Sequence, residues 1–145
     1  MGAEEATMQS GPRTSVRWLH FGLWAAQGLL ALAFGMAGVL KVSAPLAELA
    51  HKMAWTAAVP GPLVRFIGAS ELTGVLGLIL PSVTRIRPKL TALAGAGLAT
   101  VMVLAMAFHL SRGEAHVIGV NLVLGSLAAF VAWGRFRGAP IPPRA

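Results

Sequence analysis

Glu71 is a carboxylate inside an otherwise mostly apolar run from Phe66 to Leu80. Facing lipid at a helix centre, it would cost about 2.5–3.5 kcal/mol on insertion scales. It must therefore face protein or a water pocket, hold a proton, or find a partner. Three other polar residues fall at a similar depth when counted inward from the basic end of each apolar run. Glu71 is ten residues from Pro81, Gln27 ten from Arg17, Thr100 eleven from Lys89 and Asn121 thirteen from Gly134. At about 1.5 Å per residue these four lie within roughly 5 Å of one level. The count predicts a buried polar site of Glu71, Gln27, Thr100 and Asn121, each needing a hydrogen-bond partner. Such a layer can tie helices together, or it can hold a polar-headed ligand or a proton.

A second polar group stands at the opposite ends of the runs. Lys41 closes the first, Arg65 opens the second, His109 closes the third, and Arg112, Glu114 and His116 fill the turn that follows. Long basic side chains bend toward buried partners, so Lys41 or Arg65 is a candidate cation for Glu71. A histidine can move protons or bind metal. His109, Glu114 and His116 do not make a strong ligand pattern, and no H-E-x-x-H occurs, so no metal site is expected. No P-loop, Gly-x-Gly-x-x-Gly or Gly-x-Ser-x-Gly is present, which leaves nucleotide, dinucleotide and hydrolase chemistry without support.

These residues must be positioned by membrane helices. Of the 145 residues, 56% are hydrophobic and 12% charged, against about 25% charged in an ordinary soluble domain. Mean hydropathy is +0.71. Apolar spans are expected at about 18–40, 62–80, 90–110 and 117–133, between a flexible tail at 1–16 and a disordered tail at 137–145. The first apolar run is 23 residues, longer than a secretory core of about 7–15, and reads as a retained span. Ala6 stands where N-myristoylation needs Ser or Thr. The connection between the first two spans carries Leu46, Leu49, Ala50 and Met53 at helical spacing and a Glu48–Lys52 pair on another face. A short amphipathic surface helix is expected there, with Pro45 in its first turn and Pro60-Gly61-Pro62 after it. The expected fold is an all-α antiparallel bundle of four transmembrane helices.

The formal charge is +7, but the basic residues flank apolar runs and show no aromatic interleaving. Lipid is thus the expected partner and nucleic acid is not. Arg13, Arg17, Arg85, Arg87, Lys89, Arg135, Arg137 and Arg144 gather on one side; Lys41, Lys52, Arg65 and Arg112 gather on the other. By the positive-inside rule both termini are expected in the cytoplasm, in what would be a bacterial cytoplasmic membrane. No cysteine is present, so the chain itself carries no disulfide, thiolate metal site or thiol–disulfide chemistry. Gly28 with Gly35, Gly74 with Gly77, and Gly95 with Gly97 permit close helix contact inside the bundle or in a homo-oligomer, although no pair within one span is a GxxxG.

The run Phe66-Ile67-Gly68-Ala69-Ser70-Glu71-Leu72-Thr73-Gly74-Val75-Leu76-Gly77-Leu78-Ile79-Leu80-Pro81 resembles the second-helix signature of DoxX-like membrane proteins. Phe34-Gly35-Met36-Ala37-Gly38-Val39-Leu40-Lys41 resembles the end of their first helix, and Phe108-His109-Leu110-Ser111-Arg112-Gly113-Glu114 the end of their third. The resemblance covers about residues 18–136. It implies a four-helix membrane bundle and carries over Lys41, Glu71 and His109. It implies no single activity, because the wider superfamily includes a quinone-linked thiosulfate-oxidising subunit, a mycobacterial membrane partner of redox enzymes and animal proteins that assist receptor assembly. The expected function is an accessory or partner-binding membrane subunit rather than a stand-alone enzyme. The alternatives are a quinone-interacting subunit of a redox complex and a small transporter or proton pathway. No cofactor is evident from the residues; quinone is the one candidate.

Overall fold

The computed structural model describes residues 11–144, and among these there is no strand. Helix α1 spans Gly11–Ser43, α2 Leu46–Lys52, α3 Gly61–Thr84, α4 Lys89–Ser111 and α5 Ile118–Trp133. Four segments are long and apolar enough to cross a membrane: Thr14–Ser43, Gly61–Thr84, Lys89–Ser111 and Ala115–Gly138. The outer surface explains why lipid must be the solvent. Leu29, Leu32, Phe66, Leu76, Leu93, Val103, Leu104, Leu122 and Val123 all stand exposed around the helices, an apolar area far beyond what a soluble monomer leaves in water. The chain is an integral membrane protein.

The spans run up and down in sequence order. Helix α1 packs on α3 and α5, and α4 packs on the same two. The centre holds Leu23, Leu30, Phe34, Leu78, Leu98, Met102, Ala128 and Val131. The register between α1 and α3 is set by two glycines. A Cβ on Gly68 would lie 3.0 Å from the Gly38 carbonyl oxygen, and a Cβ on Gly38 would lie 3.0 Å from that of Gly68. Only hydrogen at both positions lets the two backbones come so close.

Several boundaries extend past the apolar runs. Helix α1 is 33 residues long, about 50 Å at the usual rise, and it includes residues 11–16 that the sequence assigns to a tail. The rest of that tail, 1–10, lies outside the described residues. Helix α3 continues through Pro81 to Thr84, and Arg85 closes it in the left-handed conformation (φ 60°), donating its N–H to Pro81 O at 3.1 Å. Residues 137–144 depart from the disorder expected at 137–145, and residue 145 lies outside the described residues. A π-helical turn spans Gly134–Gly138, Ala139 and Ile141 are buried, and the Arg144 N–H donates to Arg85 O at 3.0 Å. Prolines stop a helix here without stopping packing, since Ala139 and Ile141 still gain from leaving water.

The connection between α1 and α3 folds over one end of the bundle, hereafter the Lys41 end. Helix α2 buries Leu49, and its Lys52 and Glu48 pair at 2.6 Å on the exposed face. A 3-10 turn, Ala54–Ala58, then brings Trp55 inward. Leu49 packs with Val64, Ala44, Trp55 and Val59 in a small core of its own.

Candidate functional site

Two polar clusters occupy opposite ends of the bundle, where the sequence count predicts one layer. At the Lys41 end, Lys41 Nζ lies 2.7 Å from both Glu71 carboxylate oxygens. The two residues are 5% and 3% exposed. The pairing follows from backbone geometry. Lys41 sits one turn beyond Gly38, against Gly68, so its side chain has only to run along α3 by a turn to meet Glu71. Arg65 does not join the pair. Its guanidinium donates to Lys41 O at 2.5 Å and Ala44 O at 2.7 Å, satisfying carbonyls left open where α1 ends.

The pair forms one wall of a cavity of about 370 Å³. Phe66, Ile67 and Ser70 of α3, Val101, Met102, Leu104 and Ala105 of α4, and Asn121 of α5 form its sides; Trp55 and Val59 close its top. Trp55 lies with its ring centroid 5.8 Å from Lys41 Nζ and 6.4 Å from Phe108, within range of a cation–π contact. Helices α3 and α4 touch through Gly74 and Leu98, Gly77 and Ala94, and Ser82 and Thr91. These contacts lie toward the other end, so the helices part above them. Phe66 and Leu104, 67% and 64% exposed, stand at the gap. Residues of α3 and α4 thus line the cavity beside side chains that stand exposed on the outer surface of the bundle.

His109 also lines this cavity. Its Nδ1 is 2.7 Å from Glu114 Oε2, and Arg112 Nε donates to Glu114 Oε1 at 2.9 Å. A carboxylate on one ring nitrogen fixes the tautomer and leaves Nε2 as the one to meet a ligand. Asn121 Nδ2 is buried without any hydrogen-bond partner, an unused donor in the wall. The His109 bond, then Arg112, holds the Glu114 carboxyl below its ordinary 4.5. A depressed carboxyl stabilises the fold above the unfolded value, and that contribution is lost as pH falls through the folded one. The thermal stability advantage of the wild-type chain over Glu114→Gln should therefore hold at pH 6–7 and shrink below about pH 4.5. An advantage that grew with acid would contradict the assignment.

Two of the four layer residues are elsewhere. Thr100 is exposed and donates to Ala96 O at 3.0 Å within its own helix. Its depth is close to that of Glu71, but α4 turns Gly95, Leu98 and Met102 inward, and residue 100 stands on the opposite face. Gln27 is fully buried at the other end of the bundle, donating to Leu78 O at 2.7 Å and Ser82 Oγ at 3.0 Å. Leu78 is seven residues beyond Glu71, about 10 Å along the helix. The count misplaces Gln27 because α1 overshoots the loop after α3, so Arg17 and Pro81 do not mark the same depth. Around Gln27 stand residues that the count does not reach: Arg135, Ser82, Thr91, His20 and Trp24. Among the described residues, no group of three or more Asp, Glu or His could hold a metal.

Four membrane-crossing helices around a mostly apolar pocket with a buried ion pair in its wall define a small integral membrane bundle. Residues 25–131 match the DoxX-like family. That is most of the chain, and the protein belongs to this family. Neither the curated proteins nor the solved structures compared with it give a match.

Proposed function

We propose that the protein is an accessory membrane subunit that binds a lipid-soluble, carbonyl-bearing molecule, in class a quinone, with its head between Lys41, Asn121 and His109. The observation that carries this reading is the cavity itself: apolar on most of its lining, bordered by exposed apolar side chains of α3 and α4, and with its few polar groups converging. Its volume lies within the usual range for a small-molecule site, about 300–1,000 Å³. A carbonyl oxygen accepts from Lys41 Nζ, which keeps a hydrogen to spare beyond its bonds to Glu71, and from Asn121 Nδ2. The hydroxyl of the reduced form donates to His109 Nε2. Trp55, Phe66 and Phe108 offer aromatic surface to a flat ring. The chain has no cysteine, so a thiol electron donor would belong to a partner subunit.

The test is titration of the purified chain in nanodiscs with a short-tailed benzoquinone, read by Trp55 fluorescence against a Trp55→Phe control. Saturable quenching is expected. Asn121→Leu should weaken binding about tenfold, the worth of one hydrogen bond to a buried polar group. Absence of saturable binding, with a protein partner co-purifying alone, would leave only the accessory role.

The same reading puts both termini and the Arg85–Lys89 loop in the cytoplasm, following the eight-to-four distribution of basic residues. Reporter fusions after Ser15, Ala50, Arg85 and Pro140 should report inside, outside, inside and inside. An outside signal at Arg85 would reverse the orientation.

A further inference from the structure

At the end away from Lys41, Arg135 is a cation 3% exposed. Its Nε donates to Gln27 Oε1 at 2.7 Å, and its Nη1 lies 3.1 Å from His20 Nδ1 and 3.3 Å from Ala139 O. Every one of these acceptors is neutral. Nη2 is buried with no partner. The guanidinium lies 5.3 Å from the Trp24 ring, and Trp24 in turn donates to His20 Nε2 at 3.1 Å. A neutral imidazole accepts at only one nitrogen, so His20 cannot satisfy Trp24 and Arg135 together. The guanidinium is thus short of acceptors as well as of counter-charge. Arginine does not shed its proton, and a buried charge is held by an opposite one. None of the described carboxylates, Glu48, Glu71 and Glu114, hydrogen-bonds Arg135, and each is engaged with another cation.

A second cavity, about 340 Å³, is walled by Arg135 itself with Pro88, Lys89, Phe136, Pro140 and Ile141 among its other lining residues. Its walls include two cationic residues and no acidic one. It lies where α4 begins and where the chain after α5 folds back, at the level where a span meets lipid headgroups. We propose that this cavity is a phosphate-type anion site, taken up in the membrane by the headgroup of an anionic phospholipid. Lys89 meets the phosphate at the mouth and Arg135 supplies the charge behind it. The apolar side chains of Phe136 and Ile141 suit the glycerol and upper acyl region of such a lipid. This site is independent of the quinone-binding reading and uses none of its residues.

The experiment is thermal unfolding and native mass spectrometry of the full chain in mild detergent, with three probes: phosphatidylglycerol, phosphatidylcholine and inorganic phosphate. Phosphatidylglycerol should bind and raise the melting temperature, and phosphatidylcholine should do neither. Protection by inorganic phosphate as well would assign the site to the phosphate group alone, whereas protection by the lipid only adds the acyl and glycerol contacts; both support the site. Lys89→Gln should weaken phosphatidylglycerol binding about fivefold. Arg135→Gln should weaken it about tenfold or more. Because Arg135→Gln can also disturb folding, Lys89→Gln is the decisive variant, and Arg137→Gln, basic but outside the cavity wall, is its control. Equal loss in Lys89→Gln and Arg137→Gln would mean diffuse attraction to a basic surface and would overturn the proposal. So would phosphatidylcholine binding as well as phosphatidylglycerol, or no binding of either phosphate probe.

Discussion

Glu71→Gln should destabilise the folded bundle by about 3–5 kcal/mol, the cost of leaving one member of a buried ion pair alone. The substitution keeps size and much of the hydrogen bonding, so the loss reports charge. Lys41 sits 5% exposed with both its short contacts on Glu71, and after the change it would be a buried ammonium facing only neutral groups. Lys41→Met should cost a similar amount for the mirror reason. The double variant Lys41→Met/Glu71→Met should recover most of the loss, because no uncompensated charge remains. Reversible unfolding in mixed micelles measures all three. If Glu71→Gln unfolds with the wild type, the carboxyl is neutral structural glue and the ion pair does not exist in the membrane. If the double variant is stable yet no longer binds the quinone probe, the pair serves the ligand rather than the fold.

The fold was legible because length and hydropathy decide it. A stretch of about 20 apolar residues has one low-energy arrangement in lipid, and Pro45, Pro60 and the Glu48–Lys52 spacing mark the short helix between the first two spans. Faces and relative depths were not legible, for a physical reason. In water, an amphipathic stripe shows which side of a helix is buried. Here lipid and core are equally apolar, so Leu98 turns in and Leu104 turns out with nothing in their chemistry to separate them. Thr100 looked like Glu71 in type and depth and faces the other way, and a hydroxyl can satisfy itself on its own helix as Thr100 does on Ala96. A carboxylate has no such escape, which is why Glu71 could be read as interior from its type alone.

Depth failed where helix length was hidden. With Val16 the one large apolar residue in 11–17, no apolar run announces that α1 begins so early, so the count sets Gln27 level with Glu71 when it belongs with Ser82, Thr91 and Arg135. That second cluster had one readable trace, a glutamine and a histidine, Gln27 and His20, two turns apart on the first span. Arg135 looked like one more positive residue flanking a span. The structure separates it from Arg137 and Arg144 by burial and by its bonds to Gln27, His20 and Ala139, with the turn at Gly134–Gly138 placing its guanidinium against Trp24.

Gly68→Val should be damaging although it alters no polar group. A Cβ at Gly68 would lie 2.6 Å from Lys41 Cβ and 3.0 Å from the Gly38 carbonyl oxygen, and the second is backbone that cannot swing aside. Valine adds two methyls to that obstruction, so α1 and α3 must separate. Overpacking of this kind costs about 1–3 kcal/mol, only weakly offset by the slightly better helix propensity of valine over glycine. Gly35 is the control, since a Cβ there meets nothing within 4 Å. Gly35→Ala should be neutral or stabilising by up to about 1 kcal/mol. The steric damage should also reach the ion pair, because Lys41 approaches Glu71 only from a backbone held against Gly68. Lys41→Met should accordingly cost less in the Gly68→Val background than alone, a coupling measurable in a double-mutant cycle. Full additivity of the two changes would show that the Gly38–Gly68 contact and the Lys41–Glu71 pair are independent, and that the glycines do not position the site.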